Sequence, residues 1–145
     1  MTIESIEKVI VRRLSPVLKF TKQNVGNQSH GYGVYLIFNN PVESFVSRDY
    51  CKIGRAASEA RGLRERLVAN LDWHKRPDED CGALDSHHFQ ILECGTASDA
   101  GRLEALFHVW HGRYSGGHNP IEPKRTPLAA REPDFFEIRQ PAGAP

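Results

Sequence analysis

Two short β-type runs lie close together in the first half of the chain, and helical and extended stretches then alternate behind them. GVYLIF, from Gly33 to Phe38, is β-branched and aromatic and is closed by Asn39-Asn40-Pro41. Such a run reads as a strand ending in a turn. YCKIG, from Tyr50 to Gly54, reads as a second, shorter strand, near enough for an antiparallel hairpin. Leu63, Leu67 and Leu71 recur at every fourth position. With Ser58 as a cap, they predict a helix from Ser58 to about Leu71 with one buried stripe. HHFQILE, from His87 to Glu93, predicts a third strand. Thr96 or Ser98 caps a second helix, whose apolar face is Leu103, Leu106, Phe107 and Trp110 and whose stop is Gly112. This order predicts an α+β fold: a small, mostly antiparallel sheet with helices packed on it.

The ends read differently. Ile3, Ile6, Val9, Ile10 and Leu14 follow an i, i+3, i+4 pattern, which predicts an amphipathic helix from about Ile3 to Arg13, stopped by Ser15-Pro16. Asn24 to His30 is polar and reads as a loop, as does the charged, Pro-containing stretch from Trp73 to Asp85. Pro120, Pro123, Pro127 and Pro133 mark an irregular Pro-rich C-terminal arm, in which FFEIR (Phe135 to Arg139) adds a short edge strand. The chain thus divides into an N-terminal helix and loop (1–30), a central domain (31–120) and the arm with its tail (121–145).

Composition excludes several classes. With 145 residues, 39% hydrophobic and 26% charged, the chain has the size and balance of one ordinary folded domain. Its apolar runs are far shorter than the ~20 residues of a membrane span. The N-terminus carries acidic residues early and no apolar stretch before a small-residue cleavage site, so no secretory leader is expected. Cys51, Cys81 and Cys94 form no CxxC pair, and reduced, packed cysteines in a cytoplasmic protein are the simplest reading. The formal net charge of +1 selects no partner, but its distribution is uneven. Arg48, Lys52, Arg55, Arg61, Arg64, Arg66, Lys75 and Arg76 form a basic segment, and the stretch from Asp78 to Glu104 is acidic. A segregated basic segment reads either as a phosphate-binding face or as a solvated face laced with ion pairs.

The polar residues that punctuate the elements suggest chemistry. Tyr35 lies in the first strand, Lys52 in the second, Arg66 on the first long helix, Glu104 on the next helix, and Asn119 at the start of the arm. A carboxylate can hold a divalent metal, and a guanidinium can grip phosphate oxygens as a fork. A phenol or amine near the attacking water can orient it or take its proton. Together they suit phosphodiester hydrolysis.

These residues sit in motifs: Gly33-Val34-Tyr35, then Lys52-Ile53-Gly54-Arg55-Ala56, GLRERLVANL with Arg66, LEALFHVW with Glu104, and His118-Asn119-Pro120. In this order the chain resembles the GIY-YIG nuclease family from about Tyr32 to Pro120. The resemblance implies a three-stranded antiparallel sheet flanked by helices, one Mg or Mn ion, and endonuclease activity on DNA, by a monomer or a homodimer. It makes Glu104 the metal ligand, Arg66 the phosphate clamp, Tyr35 the residue that positions or activates water, and Asn119 a brace. The motif places Lys52 where the family usually has tyrosine, and Asn70 where it often has histidine or tyrosine. Asn70 moves no proton near neutral pH, so the base role falls to Tyr35, Lys52 or a histidine such as His74. Arg55, Arg61, Arg64, Trp73, His74, Lys75 and Arg76 are candidate nucleic-acid contacts, with Trp73 able to stack on a base.

Other readings stand beside this one. Arg61 or Arg64 takes the clamp role if the helix register is shifted. Glu104, His108 and His111 lie at i, i+4 and i+7 and suit a zinc site, if His87-His88 approach. The same fold without turnover serves as a nucleic-acid-binding module, and the Pro-rich arm as a protein contact.

Overall fold

The computed structural model describes residues 7–74, 87–112 and 127–139. In chain order the elements are β1 (Val9–Val11), β2 (Arg13–Leu14), β3 (Leu18–Lys19), α1 (Lys22–Gly26), β4 (Tyr32–Phe38), β5 (Tyr50–Ala56), α2 (Leu63–His74), β6 (His88–Cys94), α3 (Ala97–His111) and β7 (Phe136–Ile138), with a 3-10 turn at Pro127–Ala130. The class is α+β, and the main sheet is antiparallel throughout. Among the described residues, no helix is long and apolar enough to cross a membrane.

The sheet has five strands rather than three. β4 lies between β5 and β6, and β2 and β3 both pair with the far edge of β6. Each added strand is two residues long, too short to show any periodicity. Pro16 lies between them and has no N–H to give to a ladder. Ser15 repairs that gap: its N–H donates to Ile91 O at 3.0 Å, and its hydroxyl accepts from Ile91 N at 2.9 Å.

The amphipathic helix expected up to Arg13 is replaced, from Val9 onward, by β1 and β2. Val-Ile-Val is β-branched, and stiff χ1 angles favour a pleated strand. Val9 and Val11 are buried while Ile10 is half-exposed, and β1 pairs in parallel with β7, the strand expected from FFEIR. The loop read from Asn24 to His30 is also corrected, because α1 occupies its first residues. Thr21 caps α1, its side chain accepting from Asn24 N.

The helix expected from Ser58 begins at Leu63. Ser58 instead organises the preceding turn, its Oγ accepting from Arg61 N at 3.1 Å. Carbonyls of the 28–31 segment satisfy the start of α2: Leu63 N donates to Gly31 O at 2.9 Å and Arg64 N to Ser29 O at 3.0 Å. Gly62 makes that approach feasible, since a Cβ there would lie 1.8 Å from His30 O. Trp73 and His74, expected in a loop, are the last two residues of α2. α3 starts as expected on Thr96, whose side chain accepts from Asp99 N, and ends on Gly112 at φ 87°.

β4 alternates between two cores. Val34, Leu36 and Phe38 pack toward α3 with Leu103, Phe107 and Trp110. Tyr35 and Ile37 face the other way, toward Leu63, Leu67 and Leu71 of α2. The C-terminal segment closes the α3 side: the rings of Phe107 and Phe135 meet edge to face at 5.0 Å, and Trp110 Nε1 donates to Arg131 O at 2.9 Å.

Arg48, counted in the basic segment, is fully buried and belongs to no surface. Its guanidinium lies between the rings of Phe38 and Phe45, 4.2 Å from each centroid. It donates to Val42 O at 2.9 Å and to Gln90 Oε1 at 2.7 Å, fastening the β4–β5 loop to the sheet. Burial pulls its pKa below the ordinary arginine value, with Tyr50 and the carboxylates of Glu43 and Glu132 pulling it back up. Arg48→Met strands those acceptors and is expected to destabilise the fold by about 3 kcal/mol, measurable by urea unfolding. Cys51 and Cys94 are buried free thiols. Burial, with the charges of Asp99 and Glu93, pushes the Cys94 thiol up to about 12. Iodoacetamide at pH 8 is therefore expected to spare the Cys94 peptide in native protein and to modify it after denaturation, as read by peptide mass mapping.

Candidate active site

The candidate residues gather around β5, the edge strand of the main sheet. Tyr35 stands opposite Gly54 in the β4–β5 register. Its ring lies over that glycine, where a Cβ would meet Tyr35 Cζ and Oη at 2.4 Å. Only a residue without a side chain leaves room for the phenol. Lys52 stands opposite Ile37 and so shares the α2 face with Tyr35.

α2 supplies the groups above the phenol. Asn70 donates from Nδ2 to Tyr35 Oη at 3.2 Å and to Arg66 O at 2.9 Å. Arg66 lies one turn earlier, and its Nε is buried without a hydrogen-bond partner among the described residues. Burial raises the pKa of Tyr35, and the Asn70 hydrogen bond and the charges of Arg66 and Arg61 offset part of that. The Glu104 carboxylate pushes it further up. The charges of Arg66, Arg61 and Glu104 therefore all act on the Tyr35 hydroxyl, although Glu104 comes from the helix on the other face of the sheet.

Glu104 reaches this edge through Arg55, the residue next to Gly54. Successive residues of a strand point to opposite faces, so Gly54 underlies Tyr35 while Arg55 turns toward α3. Arg55 Nη1 lies 3.7 Å from Glu104 Oε1, and His108 Nε2 lies 3.8 Å from Glu104 Oε2. The phenol thus stands on one face of this stretch of edge strand, against the helix that carries Arg66, and the Glu104 carboxylate meets Arg55 of the same stretch from the other face.

The remaining expected residues fall in different places. Arg64 donates from Nε to Gln28 O at 2.9 Å and helps to fasten α2 to the preceding segment, which favours Arg66 for the clamp role. Arg61 is exposed in the turn before α2. Trp73 and His74 lie at the end of α2; Lys75, Arg76 and Asn119 lie outside the described residues. Asn70 was legible only as a departure from a pattern. Its position one turn after Arg66 was the available signal that both share a helix face.

The donor set indicates which metal it suits. Among the described residues, no group of three His, Cys, Asp or Glu side chains gathers. His111 is buried, its ring packed edge-on against Tyr50 at 5.3 Å. A single half-buried carboxylate, Glu104, with one arginine and one histidine near it, suits a hard, largely hydrated cation that shares its ligation with substrate phosphate. A closed zinc site needs more ligands than these.

Compared with protein-family models, with curated proteins and with solved structures, the chain matches none.

Proposed function

We propose that this chain is a metal-dependent endonuclease of the GIY-YIG kind, hydrolysing phosphodiester bonds in DNA. The reading rests most on one observation: the Tyr35 hydroxyl, pressed over Gly54, accepts from Asn70 of α2, the helix that carries Arg66, while Glu104 of α3 meets Arg55, the residue next to Gly54. Arg66, whose Nε has no hydrogen-bond partner among the described residues, grips the non-bridging oxygens of the scissile phosphate with its guanidinium. That contact offsets the charge that grows on those oxygens as the bond breaks. Tyr35 and Lys52, on the same face, hold the attacking water in line. Glu104 would hold a magnesium or manganese ion, which supplies positive charge to the phosphoryl oxygens and the departing alkoxide. Arg55 and His108 lie on either side of this carboxylate, at 3.7 and 3.8 Å, and Arg55 gives way to the ion when it binds. Arg55 and Arg61 flank the site and are placed to meet neighbouring phosphates.

The test is nicking of supercoiled plasmid with and without magnesium. Wild type is expected to cleave, to stop on addition of EDTA, and to slow about a hundredfold as Tyr35→Phe. Salt-sensitive binding without cleavage in either metal would instead support a nucleic-acid-binding module. Absence of both would favour a protein-interaction role.

A further inference from the structure

Asn70 has an orientation that its neighbours dictate. Arg66 O is a carbonyl and can only accept, so the Asn70 atom 2.9 Å from it must be the amide nitrogen. That nitrogen carries two hydrogens. One goes to Arg66 O and the other to Tyr35 Oη at 3.2 Å. A reversed amide would set its oxygen against the Arg66 carbonyl, two acceptors facing each other. Tyr35 therefore accepts from Asn70, and its own hydrogen points elsewhere. The ring lies directly over Gly54, with its hydroxyl within reach of Asn70.

We propose that Asn70 is a positioning residue that fixes Tyr35 as a hydrogen-bond donor toward the bound phosphate, rather than as a base for the attacking water. The phosphate part of this role rests on the nuclease reading above; the polarity of the Asn70–Tyr35 bond does not. Burial keeps the phenol protonated near neutrality, which agrees with donation. The water's proton then leaves by a group other than Tyr35, and Lys52 shares that face.

Two substitutions separate the polarities. Asn70→Asp keeps the size but offers only acceptors: it gives up the bond to Arg66 O, and Tyr35 meets it only by turning its hydrogen toward residue 70 and away from the site. Plasmid cleavage is expected to fall about a hundredfold, as far as in Tyr35→Phe, with the loss in kcat. Adding Tyr35→Phe to Asn70→Asp is expected to cost nothing more, because the same bond is already lost. Asn70→Leu fills the space without hydrogen bonds and is expected to cost about tenfold. It also provides a readout that needs no substrate. With 3,5-difluorotyrosine throughout the full chain, whose phenols ionise nearer neutrality, fluorine NMR follows Tyr35, assigned through Tyr35→Phe. Losing a donor is expected to move its ionisation to higher pH in Asn70→Leu, with circular dichroism confirming the fold. An unchanged or lower midpoint would overturn the polarity, as would Asn70→Asp cleaving like wild type. If wild type cleaves nothing, the nuclease reading fails, and the fluorine titration still decides the polarity.

Discussion

Glu104→Ala is expected to lower metal-dependent plasmid cleavage by about a thousandfold or more while leaving the thermal midpoint almost unchanged. Charge stabilisation in phosphodiester hydrolysis amounts to several kcal/mol, and each 1.36 kcal/mol is tenfold in rate. The fold does not depend on this carboxylate. Its partners are Arg55, which is more than half exposed, and His108, both at separations above 3.5 Å. The Arg55 pair is open to solvent and the His108 pair, though less exposed, is at no hydrogen-bonding distance, so neither contributes much to stability. The buried face of α3 is made instead by Leu103, Leu106, Phe107 and Trp110, which the substitution leaves in place. Initial nicking rates over a magnesium series, set beside melting curves, check both halves. Cleavage within tenfold of wild type would remove Glu104 from the chemistry.

Gly54→Ala adds a single methyl group and is expected to reduce cleavage about a hundredfold. The new Cβ would lie 2.4 Å from Tyr35 Cζ and Oη and 2.8 Å from Cε2. The ring has to shift by about an ångström, and misplacement on that scale costs on the order of 10² in rate. The Asn70 bond, already 3.2 Å long, breaks with it. The fold is expected to survive, because over-packing of this kind costs about 1–3 kcal/mol. Gly33→Ala is a useful contrast. Its Cβ would meet backbone, Leu92 O at 2.3 Å, and not the phenol, so it is expected to act on stability through the β4–β6 ladder. Steady-state rates per folded molecule separate the two effects.

Much of the fold around this candidate site was legible in the sequence. The Gly33–Phe38 and Tyr50–Gly54 runs became the central hairpin because strand residues at both faces are buried, which gives long β-branched and aromatic runs. The leucine spacing of α2 and the Thr96 cap of α3 are local signals that packing did not override. Arg66 and Tyr35 were placed on those elements, and the fold puts both on the same face.

What was not legible depends on distant partners. β1 is three residues long, and over that length a period of two cannot be told from a helical period. Its strand state depends on β7, at the other end of the chain. β2 and β3 exist only because β6 offers them an edge. Arg48 counted as surface charge because nothing local says that Phe38 and Phe45 will close over it. Asn70 looked like a lost proton carrier. Its role as the donor that holds Tyr35 emerges only where α2 crosses β4.

The central claim is that Glu104, Arg66 and Tyr35 form one site for a cation and a phosphodiester. Its most direct test is a crystal of the full chain soaked in manganese, with anomalous differences recorded at the manganese edge. The account predicts an ion on the Glu104 carboxylate, on the side that faces Tyr35 and Arg66, with Arg55 displaced. Manganese bound only elsewhere, with Glu104 still against Arg55, would contradict it.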